Sequence, residues 1–112
     1  MSTKHGETVI CHYHVRSGSE KEFEALLRRH WSTLKRLGTV TDEPSQIYRG
    51  VDGKSRPTFW EIFTWKSPGA FQKAHTHPDV LAIWEPMDPL LEDRDGHPRW
   101  EFPHFERVTL AA

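Results

Sequence analysis

Apolar and polar positions in this chain follow two rhythms, and each change of rhythm marks an element. Thr8-Val9-Ile10-Cys11-His12-Tyr13-His14-Val15 is rich in β-branched and aromatic residues and stops at Ser17-Gly18, so it predicts a strand. A period of three to four follows, with apolar residues at Phe23, Leu26, Leu27, Trp31, Leu34 and Leu37, the stripe of a helix with one buried face. Ser19 with Glu22 three residues on reads as a capping box, and Gly38 as the stop. Lys21, Arg28, Lys35 and Arg36 fall on the opposite, solvated face. After a polar loop from Thr39 to Ser45, Gln46 to Val51 reads as a short strand. A turn opens at Asp52-Gly53, and Thr58 to Trp65 reads as its hairpin partner.

Ser67-Pro68 then predicts a helix start with Ser67 as the cap. That helix meets Pro78, which pushes His77 out of helical geometry. A further helical stretch runs from Asp79 to about Glu85, and Pro86 and Pro89 predict an irregular segment after it. The last strand spans Arg99 to Val108, with Pro103 placing it at a sheet edge or kinking it. The order is β-α-β-β-α-β, a ferredoxin-like α+β sandwich of one four-stranded antiparallel sheet with two helices on one face. Phe59, Phe63 and Trp65 alternate with Trp60 and Ile62, so the third strand is apolar on both sides. The face without helices needs a cover, and the expected partner is a second copy of the chain.

Composition narrows the classes. A chain of 112 residues reads as one domain, with its core over about residues 8–108, and leaves no room for a separate cofactor domain. Its 15 basic and 16 acidic residues balance at a net charge of -1, against binding to nucleic acid by bulk positive charge. A single cysteine, Cys11, excludes an internal disulfide framework. There is no apolar run long enough for a membrane span, and Met1 to Gly6 shows no signal core, which reads as a cytoplasmic protein. Phosphate loops, nucleophile elbows and zinc-protease motifs are missing. What stands out is 8 His and 5 Trp.

Two stretches carry a likeness to a known family. Val15-Arg16-Ser17-Gly18-Ser19-Glu20-Lys21-Glu22-Phe23 resembles its strand end, glycine and helix with an early Phe. Trp65-Lys66-Ser67-Pro68-Gly69-Ala70-Phe71, running on to Pro78, resembles its strand ending in Trp and the helix after it. The chain thus resembles the antibiotic-biosynthesis monooxygenase (ABM) type of the dimeric α/β-barrel superfamily. The resemblance implies a homodimer and a pocket between sheet and helices, where an aromatic substrate reacts with oxygen after deprotonation, without a cofactor. The family's polar positions are displaced. Its Glu two residues before the Trp is Phe63 here, with Glu61 two residues earlier. Its His positions nine and fourteen after the Trp are Ala74 and Asp79, with His75 and His77 nearby.

Glu61 is the sharpest candidate. A carboxylate among Phe59, Trp60, Ile62, Phe63 and Trp65 is desolvated, and either takes a phenolic proton as a general base or pairs with an Arg or His. His75 falls one position beyond the helical repeat of Phe71 and is the second catalytic candidate. His77 is placed to cap the turn that follows it. Tyr13, Trp65, Phe71 and Trp84 are candidates to line an aromatic pocket, or are ordinary core. Trp31 and Trp100 read as core or interface anchors, and Cys11 as a buried small residue. His12 and His14 share one face of the first strand, as a metal pair with a third ligand or as hydrogen-bonded histidines. His5, His30, His97 and His104 carry no spacing signal and read as surface or loop residues.

Three functions follow. The first is a cofactor-independent monooxygenase of a small phenol or quinol. The second is a non-catalytic ligand-binding or structural homodimer. The third is a metal or haem protein.

Overall fold

The computed structural model describes residues 7–106 with Val108 and Leu110. Met1 to Gly6, with His5, and Arg107 lie outside the described residues. In chain order the elements are β1 (Thr8–His14), α1 (Glu20–Arg36), β2 (Gln46–Val51), β3 (Pro57–Thr64), α2 (Ala70–Thr76), α3 (Pro78–Met87), a 3-10 turn (Asp88–Leu90), β4 (Trp100–Glu101) and β5 (His104–Phe105). The sheet order is β2-β3-β1-β4, with β5 also pairing β1, and every pairing is antiparallel. This is the ferredoxin-like α+β fold, with five strands and three helices where four and two were expected. Each extra element comes from a proline. Pro103 divides the last strand, yet its carbonyl still accepts from Ile10 N–H at 3.1 Å. Pro78 divides the second helical region by holding His77 extended at ψ 129°.

The strand alternation sorts the side chains. Along β1, Val9, Cys11 and Tyr13 go into the core under the helices, while Ile10 and His12 stay partly exposed on the other face. In β3, Phe59, Glu61 and Phe63 are buried with the core, and Trp60 faces outward. Cys11 pairs with Glu61 and His12 with Trp60, so each face reads continuously across the two central strands. The core is completed by Phe23, Leu26, Leu27 and Leu34 of α1 and by Val80, Ile83 and Met87 of α3.

Local signals differ from expectation at four places. Ser19 is the N-cap of α1, but its backbone (φ -103°, ψ 6°) is not the extended form that aims the hydroxyl at the first turn. Its side chain makes no capping bond, and Glu20 instead accepts from Gly18 N–H at 2.6 Å. The second helix starts at Ala70 with Gly69 as cap, because Ser67 and Pro68 are spent in a turn closed by Ala70 N–H to Ser67 O at 3.0 Å. The third helix runs through Pro86 to Met87 rather than becoming irregular there. Trp31 is only partly buried, and His30 takes its expected place in the buried stripe of α1.

Arg94 closes one end of the sheet. Although nearly buried, its guanidinium donates to Pro57 O and Val15 O, both at 2.7 Å, and to Glu92 at 2.9 Å. Asp52 organises the β2–β3 turn by accepting from the backbone of Lys54 and Arg56. Those backbone donors, Arg56 first, hold its carboxyl down to about 2.

Candidate active site

Glu61 projects from the middle of β3 under α1 and is fully buried. A buried carboxylate needs donors, and it has two. Tyr13 of β1 donates its hydroxyl to Oε1 at 2.9 Å. His30 of α1 places Nδ1 at 3.0 Å from both oxygens. The second ring nitrogen of His30 lies 2.8 Å from the indole Nε1 of Trp84 on α3. An indole N–H only donates, so Nε2 of His30 is the acceptor and Nδ1 carries the hydrogen given to Glu61. Four elements, β1, β3, α1 and α3, thus meet in one line of bonds: Tyr13 to Glu61, His30 to Glu61, Trp84 to His30.

A cavity of about 230 Å³ lies beside this line. Six rings form a closed circuit around it: His30, Phe63, Trp65, Phe71, His75 and Trp84, with neighbouring centroids 5.0 to 6.1 Å apart. Val9, Cys11 and Tyr13 of β1 complete one wall, and Trp100, Phe102 and His104 another. The wall is overwhelmingly apolar. Burial, with the Glu61 charge second, pushes the Cys11 thiol well up, and burial does the same to the Tyr13 phenol, so both stay protonated. Trp65 is buried in this wall, and its indole N–H has no partner among the described residues.

The cavity brings together the aromatic candidates Tyr13, Trp65, Phe71 and Trp84, and His75, which is exposed at its mouth. Glu61 does not line it; the carboxylate stands behind His30. His30, expected on the surface, is 2% exposed and is the buried imidazole among the three that line the cavity. The signal for it was in the helical spacing. Phe23, Leu26, Leu27, His30 and Leu34 form one stripe, which is missed when only apolar residues are counted. His104 also lines the cavity, from β5. His77 accepts from Asp79 N–H at 3.1 Å and caps α3.

His12 and His14 are on the opposite, open face. Their rings meet edge to face at 4.7 Å, and His12 stacks on Trp60 at 3.9 Å. His14 is 6% exposed. Burial holds both imidazoles below their ordinary value, helped at His12 by the neighbouring His14 and at His14 by the Arg94 charge.

The sequence matches no protein-family model and no curated protein. Solved structures do match. A variant of SnoaB, a cofactor-independent oxygenase from Streptomyces nogalater, superposes with a TM-score of 0.72 at 19% identity, over 96% of this chain and 97% of that one. PA3566 from Pseudomonas aeruginosa matches with a TM-score of 0.70 at 15% identity, over 97% and 100% of the two chains. A provisionally assigned antibiotic biosynthesis monooxygenase from Nitrosomonas europaea matches at 0.71 and 8% identity, over 96% and 95%. The chain has the ABM-type fold. No helix among the described residues is long and apolar enough to cross a membrane.

Proposed function

We propose that this chain is a cofactor-independent monooxygenase of a small phenol- or quinol-like aromatic, bound in the cavity between sheet and helices. One observation carries the reading: a buried histidine with one nitrogen fixed by a carboxylate presents the other at the wall of an aromatic cavity. Glu61 fixes the tautomer of His30 and stabilises the charge that develops when Nε2 takes a proton, as the carboxylate of a catalytic triad does. A substrate hydroxyl reaches Nε2 by taking the place of the Trp84 N–H. Trp65, Phe71, Trp84 and Tyr13 hold the ring. The substrate anion is electron-rich and reduces oxygen itself, one oxygen atom entering the substrate and the other leaving as water. The apolar wall keeps bulk water from the anion. A volume of about 230 Å³ is small among ligand sites and suits one or two rings.

The proposed partner of the open sheet face is a second copy of the chain. Tyr48 and Trp60 stand exposed there, on neighbouring strands in register. The near balance of 15 basic and 16 acidic residues fits a small-molecule site rather than nucleic acid, and a cytoplasmic setting fits the lone Cys11.

Oxygen uptake with a panel of hydroquinones and anthrones tests the enzyme reading. His30→Ala is expected to lower kcat by about 10² to 10⁴, the usual worth of a general base. Glu61→Gln lowers it less, and His75→Ala shows whether the mouth histidine shares the proton. Uptake indifferent to all three substitutions overturns these roles.

A second reading, a non-catalytic ligand-binding homodimer, draws on one fact: the bonds of Glu61 and His30 are already complete without a ligand. Quenching of tryptophan fluorescence by an aromatic that is never oxidised would favour it.

A further inference from the structure

We propose that His12, His14 and Glu101 form a binding site for a first-row divalent cation of the zinc type, on the open face of the sheet. One ligand atom from each residue lies within 4.8 Å of the other two. Two imidazoles and one carboxylate are the donor set of three-ligand zinc sites and of facial metal triads. The arrangement follows from the strands. His12 and His14 are two apart on β1, and Glu101 on β4 pairs directly with His12. Donor atoms at zinc distances of about 2.1 Å stand roughly 3.4 Å apart in a tetrahedron. The longest edge of the trio therefore closes by at most about 1.4 Å.

The hydrogen bonds around the trio leave one nitrogen of each imidazole open. His14 is more than nine-tenths buried, and its Nδ1 has no partner among the described residues, a cost that a cation would remove. His12 Nε2 lies 2.7 Å from the Thr58 hydroxyl, which spends its own hydrogen on Tyr13 O. Nε2 of His12 is therefore the donor, and its Nδ1 keeps a lone pair. A ligating histidine whose other nitrogen is tied to a fixed acceptor is the usual outer-shell arrangement of metal sites. Stacking on Trp60 fixes the plane of the same ring.

The charges nearby allow a cation. Arg94 is the adverse one, but its guanidinium is matched by Glu92 and Asp52. Glu101 opposes it from β4. His97 is exposed, with its Nδ1 3.9 Å from a Glu101 oxygen. This site is separate from the cavity, so failure of either proposal leaves the other standing.

Calorimetric titration of the chelator-treated full chain with zinc chloride at neutral pH tests it, and cobalt(II) absorption reports the geometry. The expected result is one ion per chain. Glu101→Gln should weaken binding by 10-fold or more, and His14→Ala by more still. His97→Ala should weaken it less, while His104→Ala, on the other face, should leave it unchanged. Circular dichroism checks that His14→Ala folds; if it does not, Glu101→Gln carries the test alone. Zinc that does not bind the native chain, or that binds with the same affinity after Glu101→Gln, overturns the proposal.

Discussion

The two faces of the sheet are built from the same strands and differ in how their polar groups are paired. Under the helices, Glu61, His30, Tyr13 and Trp84 donate and accept in a complete line. On the open face, one residue along, His14 keeps an unpartnered nitrogen and Trp60 and Tyr48 stand in solvent. The line at Glu61 is complete, with the Trp65 indole N–H left facing the cavity, whereas on the open face the buried imidazole itself lacks a partner among the described residues. A β-strand imposes this division, because a side-chain period of two sends Cys11 and Tyr13 one way and His12 and His14 the other.

Truncations on the two faces should differ in cost. Phe23→Ala, which empties a fully buried site beneath Tyr13 and Phe59, should lower stability by about 3–5 kcal/mol in urea denaturation. Tyr48→Ala, more than half exposed on β2, should stay within about 0.5 kcal/mol when the chain is dilute enough to be monomeric. Under concentrated conditions the order should change in one respect only: Tyr48→Ala loosens self-association, seen by sedimentation, and Phe23→Ala does not act through that face.

Glu61→Leu comes next. It strips the acceptor from two buried donors, the Tyr13 hydroxyl and His30 Nδ1–H, for a loss of about 2–3 kcal/mol. A cost near zero would mean that the line is ornamental to folding. Trp84→Phe keeps an aromatic ring, though a smaller one, but removes the N–H given to His30 Nε2, and should cost about 1 kcal/mol. In oxygen-uptake assays the same variant should hold or raise activity, since the lone pair is then unoccupied.

The smallest effect sharpens the contrast from the open side. His12 and His14 titrate below the ordinary imidazole value in the folded chain, chiefly because they are buried. Below that ordinary value the unfolded chain binds more protons than the folded one. Stability therefore falls as pH drops through the ordinary value of about 6.5 towards the depressed ones. His12→Gln with His14→Gln should flatten that fall, measured as thermal midpoints across the range.

Much of the frame was legible because prolines, glycines and strand alternation act locally. The hairpin of β2 and β3, the stop at Gly38 and the break at Pro78 all stand where the pattern put them. Glu61 was legible too, as a charge inside an aromatic strand. Its partner was not, for a physical reason. Histidine is apolar enough to sit in a helical stripe and polar enough to be counted out of it, so His30 was passed over in the stripe, and its pairing with Glu61 appeared when α1 lay across β3. The reach of Glu101 to His12 was hidden in the same way, since strand register joins residues almost ninety positions apart.

The direction of the bonds at Glu61 has one last consequence. Every hydrogen in the line points towards the carboxylate, and the far end is an indole that can give but not receive. A guest that displaces Trp84 from His30 must therefore bring a hydrogen of its own. A phenol satisfies that condition and its methyl ether does not, although the two differ little in shape. If the proposed exchange at His30 operates, an O-methylated analogue should be refused where the free hydroxyl is admitted, on hydrogen count rather than size.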